Sequence, residues 1–311
     1  MSRIACVFGG TGFIGEQVVR LLCKAGYRVK IATRVPEAAY EIKVAGSVGQ
    51  VVGYPCDYSE SAIARAVQGC DVVVNLVGIL YEKKNNSFAR LHTDLPAIIA
   101  RQCAASGARF IHLSALGVDR AESRYARSKK LGEEAVLRFA PEATILRPSI
   151  VFGAGDRFFN RFAGMARFMP VLPLIGGKTK FQPVYVGDVA EAIMAAIDDP
   201  AAKGRIYELG GPEILTFKAI YRRLFAQTRR PRWLLPLPFG AARLLGRVLG
   251  VLPVPPLTAD QVENLKTDNV VQSGMAGLRD LGIQPTALDA ILPTYLAFYR
   301  PGGRFADKQA A

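Results

Sequence analysis

The sequence is short of histidine, has no paired cysteine motif, and carries too little acid for its base. Only two histidines occur in 311 residues, His92 and His112, so no metal site built on imidazoles is expected. The five cysteines (Cys6, Cys23, Cys56, Cys70 and Cys103) are odd in number and contain no CxxC pair, which excludes a disulfide framework. Each sits among apolar residues, as small core side chains of a reducing compartment do. No apolar run reaches the ~18 residues that cross a bilayer, and there is no internal repeat or low-complexity tract. Against 40 Lys and Arg stand only 26 Asp and Glu, a formal net charge of +14. That excess calls for an acidic partner: nucleic acid, a membrane surface, a phosphate-bearing ligand or an acidic protein.

Half of the residues are apolar and 21% are charged, the balance of a folded globular chain. Strand-like runs at Arg3–Phe8, Arg28–Thr33, Gln50–Gly53, Asp71–Leu76, Arg109–Ser114 and Ala143–Leu146 alternate with helical patterns at Phe13–Lys24, Ser59–Val67, Pro96–Ala105 and Ser123–Phe139. Uninterrupted runs such as Val72-Val73-Val74 suit a parallel sheet covered on both faces. The pattern predicts an α/β protein, a doubly wound parallel-sheet Rossmann fold with a smaller, mostly helical C-terminal region. Residues 1–150 are expected to form the main sheet unit, 151–182 loops and a helix over its edge, 183–211 a return to the sheet, and 212–311 the smaller region. The strand pattern begins almost at the first residue, so no signal or transit segment is read ahead of the fold.

Gly9-Gly10-Thr11-Gly12-Phe13-Ile14-Gly15 follows the first strand and opens the first helix. In that context Gly9 allows the tight turn, Gly12 lets the backbone approach a pyrophosphate, and Gly15 lets helix and strand pack closely. The helix N-terminus favours the anionic phosphates. Further on, Tyr125-Ala126-Arg127-Ser128-Lys129 starts a helix eleven residues after Ser114, at the end of the fifth strand. Positions i and i+4 share a helix face, so Tyr125 and Lys129 can act together. A free tyrosine, with a pKa of ~10, is a poor proton donor or acceptor at neutral pH, and a nearby ammonium favours its phenolate.

These motifs resemble those of the short-chain dehydrogenases/reductases, in their extended and atypical branches. The resemblance implies that Gly9, Thr11, Gly12, Phe13 and Ile14 contact the pyrophosphate, and that Asp57 and Tyr58 contact adenine. Val77 and Gly78 would lie along the ribose, with Pro148, Ile150 and Val151 past the nicotinamide. In this family Ser114 would align a substrate carbonyl, Tyr125 exchange the proton and Lys129 hold the ribose. The same Tyr and Lys would equally serve cofactor retention without turnover. Members that prefer NAD carry an acid near the end of the second strand, where this chain has Arg34, nineteen residues after Gly15. A guanidinium pairs with a 2′-phosphate, so NADPH is the expected cofactor. His92 stands where extended members usually have Asn, which either weakens a proton relay or marks a capping histidine. Asp188, in Val186-Gly187-Asp188-Val189-Ala190, reads as a helix cap or a ligand-pocket residue.

From Ile214 to Ala259 there is no acid, while Lys218, Arg222, Arg223, Arg229, Arg230, Arg232, Arg243 and Arg247 fall inside. Trp233 and a helical run with Leu245, Val248, Leu249 and Leu252 accompany them. An apolar face beside arginines suits an interfacial helix, or one packed on its own domain. The segment Arg229–Leu252 is therefore expected to dock on an anionic membrane surface or on the membrane-proximal part of a larger complex. Nucleic acid is not expected, for no helix-turn-helix, zinc finger or aromatic β-platform is present. Arg157 and Arg161, with Phe158, Phe159 and Phe162, read instead as a helix over the cofactor edge.

Three stretches narrow the resemblance: His112–Gly117, Phe181–Ala190, and Leu257–Val262 leading to Asp268-Asn269-Val270. Together they resemble the atypical family that contains an accessory subunit of respiratory complex I (NADH:ubiquinone oxidoreductase). It implies an NADPH-binding, non-catalytic subunit or assembly factor, with complex I subunits as partners. The expected location is the cytoplasmic face of the bacterial inner membrane, or the cytoplasm. The competing reading is a free NADP-dependent reductase or epimerase of a small carbonyl compound, within quinone metabolism.

Overall fold

The computed structural model describes residues 2–83 and 86–303. Its first half alternates β1 (Ile4–Phe8), α1 (Phe13–Lys24), β2 (Arg28–Thr33), β3 (Val51–Pro55), α2 (Glu60–Val67), β4 (Val72–Asn75), α3 (Leu95–Ser106), β5 (Arg109–Leu113), α4 (Arg124–Phe139) and β6 (Thr144–Pro148). Then come β7 (Val151–Phe152), α5 (Phe159–Phe168), β8 (Val171–Leu174), β9 (Lys180–Phe181), β10 (Val184–Tyr185), α6 (Val186–Asp198) and β11 (Ile206–Leu209). The chain ends with β12 (Leu215–Thr216), α7 (Phe217–Thr228), β13 (Trp233–Pro236), α8 (Phe239–Leu249), α9 (Ala259–Asn264) and α10 (Leu288–Leu296).

Seven parallel strands form one sheet in the order β11-β6-β5-β4-β1-β2-β3, the Rossmann order with β11 added at one edge. Alternate residues of each strand feed opposite cores. Ala5, Val7, Val72 and Val74 pack with α1 and α6, whereas Cys6, Phe8 and Val73 pack with α2, α3 and α4. This two-sided burial explains why the strands read as continuous apolar runs. All five cysteines are free and buried, which makes them core side chains.

Residues 151–182 carry more than loops and one helix. β8 pairs with β13 and β9 with β12, and α5 packs with α7 and α10 around Phe152, Phe159, Phe217, Tyr221 and Leu292. The smaller region thus has a core of its own, made from two separate stretches of chain. Among the described residues no helix is long and apolar enough to cross a membrane.

Candidate functional site

The glycine turn lies at the switch point between β1 and β4, where the strand order reverses. Gly9 has φ +79°, and a Cβ there would lie 3.0 Å from the Leu76 carbonyl carbon, so glycine is required twice over. A Cβ on Gly15 would meet the Gly9 oxygen at 2.3 Å, which fixes how tightly α1 sits on the turn. Gly12 is the N-cap of α1 and supplies no side-chain cap. The first amides of a twelve-residue helix are therefore left for an anion. Thr11 is exposed at the turn, with Phe13 and Ile14 half-buried beside it.

Arg34 leaves the end of β2 exposed, with its guanidinium 5.4 Å from the Tyr58 ring centroid and donating to Asn86 Oδ1 at 2.7 Å. Asp57 is exposed, and its carboxyl is held below the usual range by the Ser59 hydroxyl and amide. Tyr58 takes φ +68°. Val77 donates its N–H to Asn75 Oδ1 at 3.1 Å, and a Cβ on Gly78 would stand 3.5 Å from Lys129 Nζ. The ends of β4 and α4 thus meet at one point. On the next strands, Pro148 accepts the Leu116 N–H at 2.9 Å, and Ile150 and Val151 follow half-buried.

The Ser114 hydroxyl is buried and makes no hydrogen bond; neither does His112 Nε2. His112 Nδ1 receives the Asn75 amide at 3.2 Å, so Nε2 carries the proton. Lys129 is buried and donates to the Leu113 carbonyl at 3.1 Å; burial lowers its pKa to about 8, with Glu133 working against the shift. The orphaned groups at the end of β5 and the uncapped start of α1, two strands away in the sheet, both fit a polar, phosphate-bearing nucleotide. When bound, a nicotinamide cofactor would supply hydride chemistry there.

Two expectations are corrected. Tyr125 is not moved toward a useful range by Lys129: burial pushes its pKa up to about 12. The ammonium is aimed at the Leu113 carbonyl instead. His92 is not a capping histidine, and both its ring nitrogens are taken up by structural partners. It lies buried in a π-helical turn, Ala89–Asp94. Nε2 accepts the Ile79 N–H at 3.0 Å, so Nδ1 donates to Ser128 Oγ at 2.9 Å, and Ser128 in turn donates to the Tyr125 carbonyl at 2.7 Å. With Phe88 stacked on one face and Tyr125 edge-on, this imidazole pins the β4 loop to α4.

Burial and then Lys129 lower the His92 pKa to about 3. An unfolded histidine takes up its proton below ~6.5, whereas the folded one resists down to about 3. Stability is therefore lost as pH falls from ~6.5 toward 3, by a few kcal/mol from this group. His92→Asn, which keeps an acceptor and a donor, should flatten the fall of the thermal midpoint between pH 6.5 and 4. Identical pH profiles in the two proteins would show that His92 does not titrate in this way.

Asp188 is neither cap nor pocket residue, for its carboxylate accepts the N–H and hydroxyl of Thr286, both at 2.7 Å. Sequence reasoning missed the residues that hold the site in place. Asp260, Asn264 and Asn269 reach it from the C-terminal region: Asn269 donates to the Leu116 carbonyl and accepts from the Ser149 hydroxyl. The Thr258–Gln261 capping box was a legible signal of a helix start, though not of what that helix touches. Among the described residues no three His, Cys, Asp or Glu are grouped to hold a metal ion.

A parallel Rossmann sheet with this turn at its switch point, and Ser, Tyr and Lys beside it, defines a nicotinamide-nucleotide-binding protein of the short-chain dehydrogenase/reductase type. The chain belongs to the NAD dependent epimerase/dehydratase family, whose model matches residues 5–210. Homology runs on through the C-terminal region. NADH dehydrogenase (ubiquinone) 1 alpha subcomplex subunit 9 of Mus musculus is 37% identical over 294 residues, 92% of this chain and 78% of the relative. Its Arabidopsis thaliana counterpart is 38% identical over 316 residues, 96% of this chain and 79% of the relative. An Escherichia coli NADPH-dependent quinone oxidoreductase, solved with NADPH, shares the fold with TM-score 0.73 at 21% identity, covering 94% of this chain and 98% of that one.

Proposed function

We propose that this protein holds NADPH as an accessory subunit or assembly factor of respiratory complex I, on the cytoplasmic face of a bacterial inner membrane. The carrying observation is the exposed face around α8, which a free soluble reductase does not need. Trp233 is 80% exposed, Leu244 64%, Val248 63% and Val251 82%. α8 packs inward through Ala242, Gly246 and the half-buried Phe239, while Leu244, Leu245 and Val248 are exposed beside Arg243 and Arg247. Neither guanidinium has a hydrogen bond or ion pair among the described residues. Three other basic residues of the segment are used internally: Arg223 pairs with Glu213 and Asp289, Arg230 donates to the Tyr299 carbonyl, and Arg232 to that of Ala166. Fractionation of native membranes tests the reading: the protein should sediment with them and co-migrate with complex I. Recovery wholly in the soluble fraction, apart from the complex, would refute it.

Near anionic lipid each free arginine contributes ~1 kcal/mol, with apolar contact added by Leu244, Leu245 and Val248. Reversing Arg243 and Arg247 to Glu should release the protein from phosphatidylglycerol vesicles at low salt. NADPH affinity without vesicles should stay unchanged. If wild type and the double variant partition alike across a salt series, the face is not a membrane contact.

The exposed position of Arg34 at the adenosine end supports NADPH over NADH. Losing one charge-assisted contact costs ~1.5–3 kcal/mol, so Arg34→Ala should weaken NADPH about ten-fold or more and leave NADH unaltered. Equal affinity of the wild type for both cofactors would defeat the preference. The second reading, a free reductase, is favoured by the buried, unpaired Ser114 hydroxyl, one residue after the carbonyl that receives Lys129. Its test is turnover of a carbonyl compound that Tyr125→Phe abolishes while NADPH still binds.

A further inference from the structure

The helix that carries Tyr125 is held at its start by the far end of the chain. The Asp260 carboxylate accepts the Arg124 N–H at 2.7 Å and the Tyr125 N–H at 3.1 Å. Ser123, whose hydroxyl accepts the Ala126 N–H, donates to Asn264 Oδ1 at 2.6 Å. A carboxylate here complements the positive end of α4. On its other side α9 touches α8 backbone to backbone, since a Cβ on Gly246 would lie 2.7 Å from the Ala259 nitrogen and 2.8 Å from the Thr258 carbonyl carbon. An unbroken run of contacts therefore leads from the exposed face of α8 through Gly246 to Thr258 and Ala259. From there Asp260 leads to Tyr125, and one turn of α4 leads on to Lys129.

We infer that α8 and α9 form a nucleotide-responsive docking element, with Asp260 as the positioning residue that links the seating of α8 on its surface to occupation of the dinucleotide site. This rests on the reading that the site binds NADPH. A nucleotide contacting Tyr125 and Lys129 favours the arrangement in which α4 is seated. Only in that arrangement do Asp260 and Asn264 find their partners and fix α9. With α9 fixed, Gly246 sets one orientation for Leu244, Leu245, Val248, Arg243 and Arg247. Linkage makes the effect reciprocal: the factor by which NADPH tightens docking equals the factor by which docking tightens NADPH. A ligand that treats both arrangements alike shifts neither.

Contiguity is not coupling, so the test must read the response itself. Amide hydrogen exchange of the full chain is compared with and without saturating NADPH, in wild type, Asp260→Ala and Asp260→Asn. In wild type NADPH should slow exchange about five-fold in Ala259–Asn264 and in α8, as well as in the glycine turn. Asp260→Ala should lose the response in α8 and α9 while keeping it in the turn. Asp260→Asn, which retains an acceptor oxygen, should keep part of it. Asn264→Ala serves as the second variant should Asp260→Ala fail to fold. Sedimentation with phosphatidylglycerol vesicles, with and without NADPH, should change by the same factor as the NADPH affinity. Protection confined to the turn and α4 in wild type overturns the inference. So does an α8–α9 response that survives Asp260→Ala, or vesicle partition that ignores NADPH. Failure of wild type to bind NADPH at all, read at Gly9–Gly15, refutes the cofactor reading instead.

Discussion

Arg147→Ala is expected to lower the thermal midpoint by about 10 °C, or to keep the chain from accumulating folded. The reason is a buried cluster of charge behind the site. Arg147 grips Glu133 bidentately, at 2.9 and 2.7 Å, and its third nitrogen lies 3.5 Å from both Glu208 and Asp119. Burial opposes the guanidinium's charge, but the Glu133 hydrogen bonds and the three carboxylates outweigh it and raise its pKa. Glu208 is fully buried, and one of its oxygens has no hydrogen bond beyond that ion-pair approach. Removing the arginine strands two buried carboxylates, and breaking such a pair from one side costs about 3–5 kcal/mol. Replacing Arg147 and Glu133 together by Met should recover part of the loss, with a coupling above ~1 kcal/mol in the double-mutant cycle. A midpoint within ~2 °C of wild type for Arg147→Ala would mean that the cluster relaxes around water instead.

Gly132→Ala should be nearly as damaging, and more selective. A Cβ at this position on α4 would lie 1.9 Å from the His92 carbonyl oxygen. Neither backbone can yield locally, because His92 is tied to Ile79 and Ser128 and α4 is tied to Asp260. The helix must lift away, taking Tyr125 and Lys129 with it. Overpacking of this kind costs about 1–3 kcal/mol, and NADPH affinity should fall at least ten-fold, which calorimetry would register. Unaltered affinity with a normal midpoint would show that α4 can move without disturbing the site.

Much of this was legible because Rossmann architecture writes itself locally. The β1 glycines, the apolar strands and the Tyr125–Lys129 spacing each depend on neighbours within a few residues. Strand ends were misread by one or two residues where pairing continues past the apolar run, as at Tyr54 and Pro55 of β3. The electrostatics were not legible. Tyr125 and Lys129 share a helix face, yet their pKa values follow burial, opposed at Lys129 by Glu133, and burial is not in the spacing. The roles of His92, Asp188 and Asp260 were hidden for the same reason: each is defined by a partner 13 to 136 residues away. The arginine-rich segment was legible as a composition, but which arginines stay free depended on carbonyls such as those of Tyr299 and Ala166.

The long reach of the clamp on α4 also sets an order of assembly. The bonds from Arg124 to Asp260, Ser123 to Asn264 and Asn269 to Leu116 close loops of 136, 141 and 153 residues. Contacts so distant in sequence form late, because the entropy of closing the loop must be met before they contribute. During synthesis the amino-terminal strands emerge first and can begin to pair. At that stage the start of α4 still has four amides and no carboxylate to receive two of them. A chain arrested before Asp260 would therefore carry its phosphate turn, its Tyr125 and its Lys129, yet lack the cap that sets their spacing. The nucleotide site begins at Gly9, on the turn after the first strand, and is completed only when Asp260 has arrived.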